Sequence, residues 1–389
     1  MKCTEDICKE QRMPGRCRVC GNAFFEAPLV SYANMPGAAQ HLPDQATVKN
    51  EKGVDLEVCQ CAGCGLVQLN CDPVPYYREV IRAVGFSPEM TAFRSKQFKE
   101  FAAQHSLRGK KTIEIGCGQG EYLTLIKQAG MDAQGIEYAD DALKHCAAAG
   151  LKVSKGFIER GDEQLNGAPF AAFFILSFLE HWPDPNAGLK GIHRNLADGA
   201  VGLVEVPNFD MMLRHNQFAE FIGDHLFYFT QETLTALLRR NGFDLLQCSP
   251  VWHDYIISAV VRKRPRLDLR GFHDSQARLQ KEVDAYIARF SLKQVAVWGA
   301  GHQAFAIMSL LGLAGKIKYV VDSAPFKQGK YTPATHIPIV SPQALGEDPV
   351  EAVLVMAGSY SDEVAKIIRQ KFSGNIGVAI LRSGGLEIL

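Results

Sequence analysis

The chain has 389 residues, about half of them apolar, which is enough for two or three domains with their own cores. Lys plus Arg equals Asp plus Glu at 42 each, so no global charge draws it to a nucleic-acid polymer or an anionic membrane. No apolar run reaches the roughly 18 residues a bilayer span needs. The start, "MKCTEDICKEQRMPG", has no signal-peptide core, and a soluble cytoplasmic protein is expected.

Residues 1–72 read as a small, loop-rich module. Eight of the eleven cysteines fall within the first 71 residues: Cys3, Cys8, Cys17, Cys20, Cys59, Cys61, Cys64 and Cys71. Disulfides seldom persist in the cytosol, so this crowding points to metal. Two C-x2-C pairs stand out, Cys17/Cys20 in "CRVCG" and Cys61/Cys64 in "CAGCG". The spacing lets one tight turn fill two corners of a tetrahedron, and the glycine after each pair lets backbone amides face the sulfurs. Together they predict a closed structural Zn2+ site, with Cys59 and Cys71 as spare thiols. Reactive or simply buried thiols are the other reading.

Residues 73–264 alternate strand and helix, which predicts a mainly parallel sheet covered on both faces. A polar helix over about 76–106 leads in. Predicted strands are 111–115, 132–138, 151–155, 171–176 and 200–206, with amphipathic helices at 121–129 and 186–197. "DLLQCSP" and "DYIISAVVRK" read as a closing hairpin on the sheet edge. The charged linker "RKRPRLDLRGF" (262–272) and a helix over 274–290 lead into a second α/β domain, 265–389. Its strands are "QVAVW", "KYVVDSA", "EAVLVMAG" and "VAILR".

The turn after the first long strand, "EIGCGQG", carries Gly116, Gly118 and Gly120 behind Glu114. A dinucleotide fingerprint needs its third glycine at 121, where this chain has Glu. Like-charge repulsion makes Glu114 a poor neighbour for a pyrophosphate and a good one for a cation. Glu137 ends the next strand, 21 residues after Gly116, at the spacing for an acid that binds ribose hydroxyls. An adenosine-bearing, cationic, phosphate-free ligand fits, and S-adenosylmethionine (SAM) is the obvious one.

"EIGCGQG" with "IEYADDAL" resembles the cofactor loop and ribose acid of class I SAM-dependent methyltransferases, and "FFILSFLEHWPDP" resembles their fourth strand and following loop. That resemblance implies that Glu114, Gly116, Gly118, Gly120, Glu137, Phe157 and Ser177 line the cofactor site. The order of a four-cysteine module, a SAM domain and a second Rossmann-like domain, with "GDHLFYFT" at 223–230, resembles the sugar C-methyltransferases that act on nucleotide-linked deoxy-keto-sugars. In that family the last domain anchors substrate. The chain departs from the family at Ile222, where a tyrosine is usual, and over residues 78–90, where a serine-rich motif is usual.

Methylating a sugar carbon requires an enolate, hence a base near neutral pKa and a donor to the enolate oxygen. His225 is the expected base. Asp224 is placed to orient it or to contact the sugar, and His181 to polarise the acceptor or donate to the enolate. Tyr76 and Tyr77 are expected lid residues and phenol donors. In the last domain Gly299-Ala300-Gly301-His302-Gln303-Ala304, with Asp322 lying 23 residues after Gly299, matches a dinucleotide turn. A helix N-terminus there serves a nucleotide sugar's diphosphate equally well, so Gly299, Gly301, His302 and Asp322 are candidate substrate-binding residues. Two other readings remain open: an O- or N-methyltransferase on a small natural-product acceptor, and an NAD(P)-binding oxidoreductase or bifunctional enzyme.

Overall fold

A computed structural model describes residues 15–40, 42–79, 87–372 and 376–389. Cys3, Cys8 and part of the 78–90 segment lie outside the described residues. The chain divides into two compact units at Pro265/Arg266.

In the first unit the cysteine-rich segment forms β1 (Val30–Met35), β2 (Val54–Gln60) and β3 (Val67–Leu69). Cys17 and Cys20 lie in a turn ahead of β1, and Cys61 and Cys64 in the turn between β2 and β3. Each turn closes on a glycine in the left-handed region, Gly21 (φ 79°) and Gly65 (φ 75°), a conformation that a side chain would strain.

Helix α1 (Pro88–Gln104) starts well after the expected residue 76. The reason is local: the Ser87 side chain accepts from the Met90 N–H, and Pro88, which lacks an N–H, takes the first helical position. Residues 75–79, including Tyr76 and Tyr77, form turns instead. There follow β4 (Lys111–Ile115), α2 (Glu121–Gln128), β5 (Asp132–Glu137), α3 (Asp140–Ala148), β6 (Val153–Lys155) and β7 (Phe170–Leu176). Next come α4 (Pro185–Arg194), β8 (Leu196–Pro207), α5 (Phe209–Arg214), β9 (Phe227–Tyr228), α6 (Gln231–Arg240), β10 (Phe243–Val251) and β11 (Ile256–Lys263).

Seven of these strands make one sheet in the order β10-β11-β8-β7-β4-β5-β6. All its pairings are parallel except those of β11, which runs antiparallel to both β8 and β10. The sheet is mixed and mostly parallel, as the alternation of strand and helix in the sequence implies. Alternation along β7 sends Phe174 to one face, with Phe98, Phe101, Tyr122 and Ile126, and Phe173 to the other, with Trp182, Leu189, Leu237 and Phe243. The strand order reverses between β4 and β7, so their C-terminal ends open the crevice in which such sheets bind ligands.

Strand β9 does not join this sheet. It pairs antiparallel with β3, Val67 opposite Tyr228 and Gln68 opposite Phe227, and completes a four-stranded sheet in the order β1-β2-β3-β9. The cysteine-rich segment is therefore knitted into the unit that holds the large sheet.

The second unit begins with α7 (Arg270–Ile287), four residues ahead of the expected start. It continues with β12 (Val295–Trp298), α8 (His302–Leu310), β13 (Val320–Val321), β14 (Ile339–Val340), α9 (Ala344–Glu347), β15 (Ala352–Val355), α10 (Ser361–Lys371), β16 (Gly377–Arg382) and β17 (Gly385–Ile388). The sheet order is β14-β13-β12-β15-β16-β17, parallel except for β17.

Helix α1 carries Arg94, whose guanidinium pairs with Glu205 of β8. Both side chains are buried, and Gln97 also donates to the Glu205 carboxylate. The Arg94→Met variant strands a buried carboxylate, at a cost of about 3–5 kcal/mol. Denaturant unfolding should show a loss of that size, with Arg94→Met/Glu205→Gln recovering much of it. An unchanged midpoint in the single variant contradicts the assignment.

Candidate functional site

Three constellations have chemistry of their own. In the first, the thiols of Cys17, Cys20, Cys61 and Cys64 all lie within 4.8 Å of one another. Cys17 Sγ to Cys64 Sγ is 3.7 Å, close to the roughly 3.8 Å edge of a tetrahedron with 2.3 Å metal–sulfur bonds. Cys20 and Cys61 approach to 3.3 Å. Backbone N–H groups aim at the sulfurs, Val19 at Cys17 (3.4 Å) and Gly63 at Cys61 (3.3 Å). A donated bond from Cys64, with further donors including Gln68 Nε2, brings the Cys17 thiol down to about 4, while Cys64 is pushed up. The donor set fits a four-thiolate metal ion, and Cys59 and Cys71 stand outside it. The first knuckle is tied to the large sheet's helices: Asn186 of α4 donates to the Val19 carbonyl (2.8 Å), and Arg18 donates to the Pro183 carbonyl (3.2 Å) and the Cys71 carbonyl (2.7 Å).

The second constellation is the glycine turn after β4. Glu114 is buried at the end of that strand. Gly116, Gly118 and Gly120 all have positive φ (68°, 55° and 88°). A Cβ on Gly116 would come within 2.7 Å of the Phe178 ring, so both conformation and space require glycine. The Glu137 carboxylate is held by three amides, Gly118 N (2.8 Å), Tyr138 N (2.7 Å) and Ala139 N (3.1 Å). A carboxylate has about four lone-pair positions, so one remains for a hydroxyl. Ser177, at the end of β7, has φ 53° and donates its N–H to the Glu205 carbonyl. Phe157 packs edge-on against Phe178 and Trp182. The turn fits an adenosine-bearing group that brings no phosphate.

Of the cover on this side, the sequence pointed to Tyr77 as a lid residue but not to Arg78 or Glu159. Arg78 pairs with Glu159 and lies over the rings of Tyr77, Tyr138 and Phe157 (4.6, 5.7 and 6.0 Å), while Tyr77 Oη donates to Glu159 (2.8 Å). Tyr77 thus belongs beside the nucleotide turn and not with Tyr76. Contacts spanning some 80 residues leave no periodic trace in the sequence.

The third constellation joins the loop after β7 to the loop before β9. His181 is buried and its Nδ1 hydrogen-bonds the Asp224 carbonyl at 2.7 Å. A carbonyl only accepts, so Nδ1 carries the proton and Nε2 keeps a lone pair. The His225 ring lies 4.8 Å from the His181 ring, tilted by 71°. Asp224 is buried, and its carboxylate accepts from Tyr76 Oη (2.8 Å) and the Ala39 N–H (3.0 Å). Asp224 therefore orients His181 through its carbonyl and engages Tyr76 through its side chain. Ile222 donates its N–H to Tyr228 Oη (2.9 Å), which pins the turn ahead of the pair. Desolvation, reinforced in His225 by the neighbouring imidazole, lowers His181 to about 4 and His225 to about 3. Burial, then the Asp224 charge, pushes Tyr76 up to about 12. The arrangement supplies two neutral imidazoles and a protonated phenol, and burial leaves His225 well below the near-neutral range expected of the base.

In the second unit, a Cβ on Gly299 (φ 123°) would strike the Met356 carbonyl, and Gly301 caps α8. His302 is exposed at that helix start. Asp322 accepts from Ala300 N (2.8 Å), Ala324 N (2.9 Å) and Lys327 Nζ (3.0 Å). Burial raises its carboxyl, but these donors outweigh it and leave the group below its ordinary range. A trough of about 380 Å³ runs past Gly299, Gly301, Asp322 and Lys327.

Two family models match the chain, a methyltransferase domain over residues 89–248 and a C-methyltransferase C-terminal domain over residues 267–380. The chain is 25% identical over 385 residues to the C-methyltransferase NovU of Streptomyces niveus, covering 90% of each protein. It is 35% identical over 89 residues to a ubiquinone biosynthesis O-methyltransferase of Methylococcus capsulatus, which is 21% of this chain and 37% of that one. Among solved structures, an S-adenosylmethionine-dependent methyltransferase from Clostridium acetobutylicum superposes with a TM-score of 0.38 at 12% identity, over 44% of this chain and 92% of that one.

The histidine pair makes stability depend on pH. Both native pKa values lie below the roughly 6.5 of an unfolded histidine, so below that pH the unfolded chain binds protons that the native chain refuses. The stabilisation is whole above about pH 6.5 and is lost as pH falls towards 4, at about 1.4 kcal/mol per pH unit for each histidine. Urea unfolding at pH 7 and pH 5 should show a smaller loss in His225→Asn than in the native protein; equal losses contradict the assignment.

Proposed function

Because this chain belongs to the SAM-dependent methyltransferases and carries a C-methyltransferase C-terminal domain, we propose that it methylates the carbon beside the ketone of a nucleotide-linked deoxysugar, through an enolate formed by His225. The observation that carries this reading is the imidazole pair beyond the C-terminal end of β7, His181 buried and His225 half-buried, close to the glycine turn through Phe178. An O- or N-transfer needs a positioned base but no enolate; two neutral imidazoles beside a phenol suit removal of a carbon-bound proton and charge on an oxygen.

SAM bound at Glu137 and the glycine turn supplies an electrophilic methyl on a sulfonium. Glu114 adds negative charge near that cation, and Arg78 with Tyr77 and Phe157 excludes water from its nucleoside side. His225 takes the proton from the acceptor carbon. The lone pair on His181 Nε2 receives a hydrogen bond from the imidazolium that results, while the Asp224 carbonyl keeps His181 in the required tautomer. This makes His181 a partner of the base. Tyr76 spends its one proton on the Asp224 carboxylate in this structure, so it donates to the enolate oxygen by turning that proton to the acceptor.

Zinc at Cys17, Cys20, Cys61 and Cys64 has a structural role, since four protein thiolates leave no open position. The turn at Gly299 and Gly301, with His302 at the start of α8 and Lys327 beside Asp322, receives the diphosphate of the acceptor. A cation at 3.0 Å from Asp322 favours phosphate there over a bare ribose edge.

Solvent exchange tests the mechanism. In D2O with S-adenosylhomocysteine bound, a nucleotide-linked keto-sugar should gain deuterium at the carbon beside the ketone. His225→Ala should lose at least about a hundredfold in exchange and transfer, while calorimetry still shows SAM binding. No exchange, with the methyl found on oxygen, rules the enolate out.

A further inference from the structure

We propose that Glu180, His181 and His225 form a second metal site, separate from the four thiols, which takes a divalent ion of the zinc and cobalt class and blocks the base when filled. Ligand atoms of these three side chains lie within 4.8 Å of one another. Glu180 and His181 are both buried, and His225 is half-buried.

Tautomer geometry carries the argument. The Asp224 carbonyl holds the only ring proton of neutral His181 on Nδ1, so Nε2 keeps its lone pair. Nε2 lies 3.9 Å from Glu180 Oε1. A lone pair that near a carboxylate in a water-poor site favours a proton or a cation between them. The second imidazole, on His225, faces the same space. Three acceptors that converge in this way form a cation site, and a histidine that donates its other nitrogen to a backbone carbonyl has the usual orientation of a metal-ligating imidazole.

Two imidazoles and a carboxylate select zinc, cobalt or nickel over the oxygen-seeking magnesium and calcium. Three protein ligands leave a fourth position open. Tetrahedral edges between nitrogen and oxygen ligands are about 3.3–3.6 Å, so a pair at the 4.8 Å limit closes by about 1.2–1.5 Å around an ion. Backbone anchors fix the frame within which it closes: Leu226 N donates to the Glu180 carbonyl (2.9 Å) and His225 N to the Ile222 carbonyl (3.1 Å). No sulfur takes part, so the two sites differ in kind.

The ion would occupy the lone pair that His225 uses on the acceptor. This blocking half rests on His225 being the base; the site itself does not. Full-length protein with its thiol site already filled is titrated with Co2+. One further Co2+ per chain should bind, with visible ligand-field bands and no added thiolate charge-transfer absorption in the near ultraviolet. Glu180→Gln and His225→Asn should each weaken that binding at least tenfold while the thiol site keeps its metal. Saturation should slow methyl transfer at least tenfold, reversibly with EDTA. Absence of a second Co2+, or the same affinity in both variants, overturns the site. A second Co2+ that binds and leaves the transfer rate unchanged overturns the blocking half and, with it, His225 as base.

Discussion

A two-residue pairing of backbone decides where His225 can be. Phe227 and Tyr228 lie against Gln68 and Val67 of β3, and His225 is two residues upstream of that contact. The loop is held on its other side too, where the Leu226 N–H meets the Glu180 carbonyl and the Leu226 carbonyl receives the Leu69 N–H. Gln68 is buried and links this strand to the thiols: its Nε2 donates to Cys17 Sγ at 3.2 Å and its Oε1 accepts from Arg18 N at 3.1 Å. The four thiols therefore connect to His225 through one side chain and one strand pair. Such a loop orders a side chain more tightly than a free surface loop does, because the His225 and Leu226 amides have partners to lose.

Asp224 distributes polar contacts over the rest of the site. Its carbonyl sets the His181 tautomer, and its carboxylate holds the Tyr76 phenol and the Ala39 amide. Burying that acid is tolerable because those donors replace water. The glycine turn solves the matching problem around Glu137, where three amides restrain the carboxylate and leave capacity for a ligand hydroxyl. Two acids with different settings thus serve one crevice, Glu137 as an acceptor fixed by backbone and Asp224 as an organiser of side chains.

Much of the fold was legible in the sequence. The apolar run 171–176 is a central strand with nearly all its side chains buried, which leaves a run where a surface strand would leave alternation. The glycine turn was readable because positive φ and the Phe178 ring both exclude a side chain at 116. The paired cysteines were readable because a knuckle is a local turn. Long-range polar contacts were not. Arg94 meets Glu205 across 111 positions, and Tyr76 meets Asp224 across 148; neither follows from any period. Strand β9 was missed for the same reason, since two residues are too few to show alternation and its partner lies in the cysteine-rich module. The start of α1 was misplaced because the polar stretch ahead of it has helical composition, and only Ser87-Pro88 marks the true cap.

The central claim is that the thiol site holds the loop of His225. Hydrogen–deuterium exchange across residues 226–228, compared between the native protein and Cys64→Ser, tests it most directly, with β4 and β7 as internal references. Protection of 226–228 should fall together with that of β3 while β4 and β7 keep theirs. Full protection of 226–228 in a variant whose thiol site no longer holds metal would contradict the account.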